Sequence, residues 1–573
     1  AFYNSGEGTI SNSNAGGFDV AELVDEVSEL NLFAPNWSFY VADLIRIGGI
    51  CFYANGNSLV EGCGVRFLYG STGGGLAYEM SENAAIKNST SRCLNVSVAS
   101  QAELIIDGEF AGAVYAIKDN VKLEGINTTL TQFNGADSSE NNFKTQRKLA
   151  GLVFYAEDEA SIENCSASVW AVANEVAGLC YDFGGKIISN CGSKVQPANF
   201  GMDILAQGCV YLRNGSVIDM SDSSESFVTI GQLNTAGLCA FVIYNYGTIK
   251  SLYFNHESNA DDALSLFAGR WGVNEVTPEV SAVVAAHNYG TVRDIVVNVV
   301  YNAFGESNWS FLPQYGFIKS SQVSGGVVGI NYDSGVVENC SVYGISVISD
   351  TFAGGIAGQS LGGRISDCYV DLCVAQAPSA GGIVGSAKDT AILKSVVNNN
   401  FNWQGEEYSD LSVRYSLTYG NIAGSIDGGE ISDCAFRSVD SGKTSIAADI
   451  LNSYTGNGAV DWKRYESDVF ASEGLAACFE NHGLTISENL KKVCKSVESR
   501  LLAQEKEITG IGGDKLLFAV NSSQTYLNGT KNVFLSYYVW REVCSTCGEN
   551  SSEAQELEEL LKACLLYTSD AAD

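Results

Sequence analysis

Apolar residues along most of this chain fall in short runs, each followed by a polar turn and then by a stretch in which single aliphatic residues alternate with polar ones. Four copies of the unit are nearly literal. Gly325-Gly326-Val327-Val328-Gly329 leads to Gly335-Val336-Val337-Glu338-Asn339-Cys340, and Gly354-Gly355-Ile356-Ala357-Gly358 leads to Arg364-Ile365-Ser366-Asp367-Cys368. Gly381-Gly382-Ile383-Val384-Gly385 leads to Ala391-Ile392-Leu393-Lys394-Ser395-Val396, and Ile422-Ala423-Gly424 to Glu430-Ile431-Ser432-Asp433-Cys434. Looser copies precede them, among them Ala150-Gly151-Leu152-Val153 with Ser161-Ile162-Glu163-Asn164-Cys165 and Ala177-Gly178-Leu179-Cys180 with Ile187-Ile188-Ser189-Asn190-Cys191. Short alternating runs bounded by Gly and Asn are strands, and their recurrence about every 28 residues from Gly326 to Gly355 to Gly382 marks coils that bury their apolar faces against their neighbours. The pattern predicts a mainly β chain folded as a parallel β-helix (β-solenoid) over residues 46–440. A β-sandwich gives no reason for one phrase to recur at coil spacing.

Two stretches depart from the repeat. Val20, Leu23, Val24, Val27 and Leu30 share one face at helical spacing, which predicts an amphipathic helix over 18–30 flanking the coils. The Gly phrase stops near residue 441, and residues 441–564 read as a smaller mixed α/β module of helices and strand-like runs such as Asn532 to Trp540. Residues 565–573 read as translated adapter sequence rather than native chain. The first residues, Tyr3-Asn4-Ser5-Gly6-Glu7-Gly8-Thr9-Ile10-Ser11, match the second half of a coil such as Tyr244 to Ser251, so residues 1–45 hold a partial coil plus the helix. Either a preceding segment was removed or another subunit completes that coil. In the second case Phe2, Tyr3, Asn4, Thr9 and Ile10 form an assembly interface.

The Gly-Gly-aliphatic-aliphatic-Gly phrase followed by an Asn/Asp-Cys strand resembles the GLUG-type repeats of large secreted and cell-surface β-helix proteins, over roughly residues 45 to 440. The resemblance implies adhesion or scaffold roles and carries no catalytic residue to transfer.

Composition narrows the classes further. Glycine makes up 61 of 573 residues, and 66 acidic residues against 33 basic ones give a net charge of −33. Such a surface repels phosphate backbones and anionic lipids, which excludes nucleic-acid binding. No apolar run is long enough to span a membrane. No cofactor is expected beyond structural Ca²⁺ offsetting the carboxylates. Eleven Asn-x-Ser/Thr sequons stand at Asn36, Asn88, Asn95, Asn127, Asn164, Asn214, Asn308, Asn339, Asn521, Asn528 and Asn550, and with 17 Cys they point to an extracellular or cell-surface protein bearing N-linked glycans.

Aligning the second strands places Cys63, Cys93, Cys165, Cys191, Cys340, Cys368 and Cys434 at one register, where other copies carry Ile126, Leu252, Ile295 and Val396. A position that exchanges Cys with aliphatics points inward. Coils about 4.8 Å apart lie within disulfide reach. The expected pairs are Cys165 with Cys191, Cys340 with Cys368, Cys63 with Cys93, and Cys180 with Cys209 from the first-strand register. Cys544 and Cys547 are further candidates in the last module. The Asn or Asp preceding Cys165, Cys191, Cys340, Cys368 and Cys434 reads as a turn residue.

These features favour a structural extracellular glycoprotein whose solenoid subunits assemble head-to-tail with their own copies into a filament. The alternative is an adhesin or glycan-binding stalk, which aromatics aligned on one face would favour. A third reading, a polysaccharide lyase or hydrolase, requires paired carboxylates on one solenoid face, and no such pair recurs in the repeats.

Overall fold

A computed structural model describes residues 3–15, 46–68, 72–97, 108–134, 147–171, 173–197, 202–221, 227–229, 235–255, 278–298, 317–343, 345–371, 374–400 and 418–438, with 451–452, 459–461 and residue 555. They belong to two compact units, Ala1–Leu252 with Phe267–Thr291, and Tyr253–Leu266 with Val292–Asp573. Each unit is a stack of short strands paired parallel, coil upon coil.

A coil of the first unit is seen in the strands Thr72–Gly74, Ala77–Met80, Ala85–Lys87 and Thr90–Ser97, which pair in register with Gly108–Ala111, Val114–Ile117, Lys122–Glu124 and Asn127–Asn134 of the next. The alternation read in the sequence becomes single-residue columns. Ile10, Val60, Ile86, Leu123, Ile162, Ile188, Ile218 and Ile249 are successive register partners. From Val60 onward each is at most 1 % exposed. The flanking residues of each three-residue strand are mostly half-exposed or exposed, as in Lys122-Leu123-Glu124. Such a column is a continuous aliphatic core one residue wide, and β-branched side chains suit it because they stand rigidly from the pleat. In the second unit Val337, Ile365, Ile392 and Ile431 form the same kind of column. Strands Leu451–Asn452 and Ala459–Asp461 pair with Ala423–Asp427 and Cys434–Ser438, so parallel pairing continues past residue 440.

Residues 3–15 carry three strands, each paired parallel with a strand of residues 51–68. Tyr3–Asn4, Thr9–Ser11 and Asn14–Ala15 pair with Cys51–Ala54, Leu59–Glu61 and Gly64–Leu68. Phe2, the helix expected over 18–30, and residues 441–564 apart from the three short pieces above lie outside the described residues, as does the 565–573 tail. No helix among the described residues is long and apolar enough to cross a membrane.

The glycine of the repeated phrase answers to close approach. Gly75, Gly112, Gly151 and Gly178 stack, and a Cβ on each would meet the carbonyl oxygen of the next coil: Gly112 O at 2.1 Å from Gly75, Gly151 O at 2.0 Å from Gly112, Gly178 O at 1.8 Å from Gly151. The backbones therefore pass where no side chain fits.

The corner before the inward Cys has its own rule. Asn88, Asn164, Asn190, Asn339, Asp367 and Asp433 all hold φ between +46° and +55°, the left-handed region that Asn and Asp tolerate best after Gly. The turn-residue reading of Asn164, Asn190, Asn339, Asp367 and Asp433 agrees with these angles, and Asn88 before Ser89 shares them. Two register assignments need correction. Cys93 stacks on Phe67 and Leu130, and the residue above Cys63 is Ser89, whose Oγ accepts the Cys63 N–H at 3.1 Å. Likewise Ser395, not Val396, lies over Cys368 and accepts its N–H at 3.2 Å. The corner accepts Ser because its Oγ donates to the carbonyl two residues back, as the thiol does: Ser89 to Lys87 O at 2.8 Å, Ser395 to Leu393 O at 2.9 Å, Cys165 to Glu163 O at 3.2 Å. Alignment on Cys alone therefore slips wherever Ser replaces it.

Candidate functional site

The described cysteines are all buried free thiols: Cys51, Cys63, Cys93, Cys165, Cys180, Cys191, Cys209, Cys239, Cys340, Cys368 and Cys434. The disulfides expected from coil spacing are absent among them, although three of the four pairs are neighbours. Cys180 and Cys209 are direct register partners, the Cys165 N–H points at Cys191 Sγ at 3.4 Å, and Cys340 and Cys368 precede the register partners Ser341 and Tyr369. The physical reason is direction. In-register parallel strands hold equivalent Cβ atoms about one coil spacing apart, roughly 4.8 Å, whereas a disulfide draws them to about 3.8 Å. Cys63 and Cys93 are separated by the register correction above. Burial pushes Cys51 up to about 11 and Cys93 and Cys434 up to about 12, so these thiols stay protonated at neutral pH. Iodoacetamide is expected to leave all eleven unmodified in the native chain and to label all eleven after denaturation without reductant. Peptides that become alkylatable only after reduction would restore the disulfides. Cys544 and Cys547 lie outside the described residues.

In the first unit, rings from successive coils form an organised stack in which Tyr78, Phe154 and Tyr181 are buried and Phe52 and Tyr115 are half-buried. Phe52, Tyr78, Tyr115, Phe154 and Tyr181 stack ring on ring, with centroids 4.6, 5.0, 5.6 and 4.6 Å apart and planes within 18°. Tyr181 meets Tyr211 edge-on at 6.1 Å; Tyr211, the register partner of Asp182 in the neighbouring column, stacks on Tyr244 and Tyr244 on His287 at 5.1 and 5.0 Å. A second column lies against the rings: Arg46, Thr72, Glu109, Lys148 and Glu175 are successive members on adjacent strands. Its charges engage the rings directly. Tyr115 donates to Glu109 Oε2 at 2.7 Å, Tyr155 to Glu109 Oε1 at 3.3 Å, and Tyr181 to Glu175. Arg46 lies 5.6 Å from the Tyr78 ring centre and Lys148 5.1 Å from that of Tyr181, while Lys148 also pairs with Glu175 at 3.5 Å.

Burial and the adjacent Glu109 carboxylate push the Tyr155 phenol up to about 12; burial and the same carboxylate raise Tyr115, and burial with Glu175 raises Tyr181. These phenols stay protonated at neutral pH and act as hydrogen-bond donors, not bases. Ring faces are spent on one another and Tyr78, Phe154 and Tyr181 are buried, so the surface here offers the half-buried Phe52 and Tyr115 with the paired charges of Glu109, Lys148 and Glu175. Sequence reasoning did not find this stack. Its signal was present as an aromatic recurring one coil apart and as the six-residue spacing of Glu109 to Tyr115 and Glu175 to Tyr181. No group of three or more His, Cys, Asp or Glu side chains that could hold a metal occurs among the described residues.

His287, stacked on Tyr244, is held down to about 4 by burial. Its ordinary value is 6.5. A base whose folded value is depressed contributes stability that is complete above the unfolded value and is lost as pH falls through the window from 6.5 to about 4, because the unfolded chain takes up the proton first. The loss amounts to at most about 3 kcal/mol. His287→Phe keeps a ring on Tyr244 and should flatten that part of the pH dependence of the denaturation midpoint. Equal losses in parent and variant between pH 7 and 4.5 would refute it.

The sequons separate by surroundings. Asn88, Asn127, Asn164 and Asn214 are exposed, Asn339 is half-buried, and Asn95 lies in the strand Thr90–Ser97. Asn36, Asn308, Asn521, Asn528 and Asn550 lie outside the described residues. Of the assembly residues, Tyr3 is 60 % exposed with its ring 5.1 Å from that of Tyr53 at a tilt of 33°, Asn4 is buried, Thr9 is exposed and Ile10 half-buried. Comparison with protein-family models, with curated proteins and with solved structures finds no match to this chain.

Proposed function

We propose that this chain is a structural glycoprotein of the cell surface or extracellular space, a β-solenoid subunit that assembles head-to-tail with copies of itself. The observation that carries the reading is the persistence of one-residue-wide columns, Ile86 through Ile249 and Gly75 through Gly178, over successive coils. Residue types along these columns answer to the coil above and the coil below, as in a load-bearing or spacing element whose unit is the coil. Addition of one chain to another would continue the same columns, with Phe2, Tyr3, Asn4, Thr9 and Ile10 as the contact. Sedimentation velocity of the secreted chain over a range of concentrations tests this. Self-association is expected, and Thr9→Lys and Ile10→Asp should each abolish it while circular dichroism stays that of the parent. A parent that sediments as a monomer at all concentrations would contradict the assembly.

A second reading, a glycan-binding stalk, is favoured by the rings stacked from Phe52 to Tyr181 and the charge column against them. Phenols and charges of alternating sign on successive coils, Glu109, Lys148 and Glu175, suit a hydroxyl-rich chain lying across the coils. Glycan-array binding that is lost in Glu109→Gln would support it, whereas binding unaffected by that change would place the contact elsewhere.

A further inference from the structure

As far as Asn164, the corner column of the first unit alternates a side chain with none. Along the coils it reads Asn12, Gly62, Asn88, Gly125, Asn164 and Asn190. Each N–H donates to the carbonyl of the residue just before the next member: Asn12 to Glu61 at 2.9 Å, Gly62 to Lys87 at 3.1 Å, Asn88 to Glu124 at 3.0 Å, Gly125 to Glu163 at 3.1 Å and Asn164 to Ser189 at 3.1 Å. All six hold φ between +46° and +65°. A Cβ on Gly62 would lie 2.7 Å from Asn12 Oδ1, and one on Gly125 would lie 2.8 Å from Asn88 Oδ1. The glycines thus put no side chain beside Asn88 in the coil on either side and none beside Asn164 in the Gly125 coil, while Asn190 stands on the other side of Asn164.

Two of these asparagines begin sequons, Asn88-Ser89-Thr90 and Asn164-Cys165-Ser166, and both are exposed. The second unit carries a matched comparison. Glu338-Asn339-Cys340-Ser341 is the same tetrapeptide as Glu163-Asn164-Cys165-Ser166, with its Asn at the same left-handed corner, φ +51° against +53°. Local acceptor chemistry therefore cannot separate them. Their neighbours can. Where Asn164 has Gly125 on one side, Asn339 has Asp294, and Asn339 Nδ2 donates to Asp294 Oδ1 at 2.5 Å. On the other side stands Asp367, and Asn339 Oδ1 is itself buried.

We infer that Asn88 and Asn164 carry N-linked glycans while Asn339 does not, the side-chain-free glycine next to each in the corner column being what admits the sugar. Glycan transfer joins sugar C1 to the amide Nδ2, breaks the C1–O bond to the lipid pyrophosphate and releases one amide proton. At Asn339 the sugar would have to occupy the space in which Nδ2 meets Asp294. A chain modified there could not close this corner, so folded, exported material leaves the site bare. This assignment rests on the extracellular reading.

The full chain, directed by a heterologous signal peptide through a eukaryotic secretory host, should be digested and its glycopeptides quantified after enzymatic deglycosylation in ¹⁸O water. Occupancy at Asn88 and Asn164 is expected to exceed that at Asn339 by about tenfold or more. Asp294→Gly copies the Gly125 environment, and φ at Asp294 is +56°, so glycine suits the backbone. This variant should raise Asn339 occupancy several-fold. Equal occupancy at Asn164 and Asn339 in the secreted parent would overturn the assignment, whether or not the variant folds, as would bare Asn88 and Asn164. Glycopeptides of native-source protein test the extracellular reading separately. A native chain without glycan at any sequon overturns that reading while leaving the recombinant ranking intact.

Discussion

Gly151→Ala is expected to destabilise the first unit by about 3 kcal/mol or more, or to abolish export of folded chain. The new Cβ would sit 1.8 Å from Gly178 O and 2.6 Å from Ala167 Cβ. Relief is blocked because Gly151 N–H itself donates to Ala177 O at 2.9 Å, so moving one coil away breaks the ladder that joins it to the next. Gly215 is the matched control. It has φ +87° and open space around it, so Gly215→Ala carries backbone strain alone, about 1–2 kcal/mol. Denaturant midpoints that ranked the two variants in the opposite order would mean that the coils can slide apart locally, and the close-approach explanation of the repeated glycine would fail.

Ile188→Ala should lose about 2–5 kcal/mol, and Ile188→Val only about 0.5–1.5 kcal/mol. Ile188 is fully buried with Ile162 and Ile218 as its register partners on either side. A cavity there is walled by two coils whose backbones are fixed by the parallel ladder, so it cannot collapse. Because each coil is stabilised by its neighbours, hydrogen exchange should accelerate first in Ser161–Glu163 and Val217–Asp219 rather than across the whole unit. Uniform acceleration would point to a single cooperative core in place of nearest-neighbour stacking.

Much of this architecture was legible before any coordinates. The alternation that set Ile162 and Ile365 apart from their polar flanks also set them inward, and the Asn or Asp before Cys165, Cys191, Cys340, Cys368 and Cys434 marked a turn. What escaped the sequence had physical causes. Ser89 and Ser395 replace Cys because a hydroxyl satisfies itself on the carbonyl two residues back, so a buried corner reads as a polar one. Disulfides were expected from Cα spacing, which parallel stacking meets. The Cβ direction, which it does not, cannot be read from intervals between cysteines. The ring column was hidden because Tyr and Phe at one register look like scattered aromatics until the coils are superposed. Only then does the six-residue step from Glu109 to Tyr115 place a carboxylate beside a phenol.

The self-assembly reading is tested most directly by negative-stain electron microscopy of the exported full chain, without detergent, at micromolar concentration. The account predicts fibres with a regular axial repeat that disappear in Thr9→Lys. Isolated particles under all conditions, with no fibres from the parent chain, would contradict it.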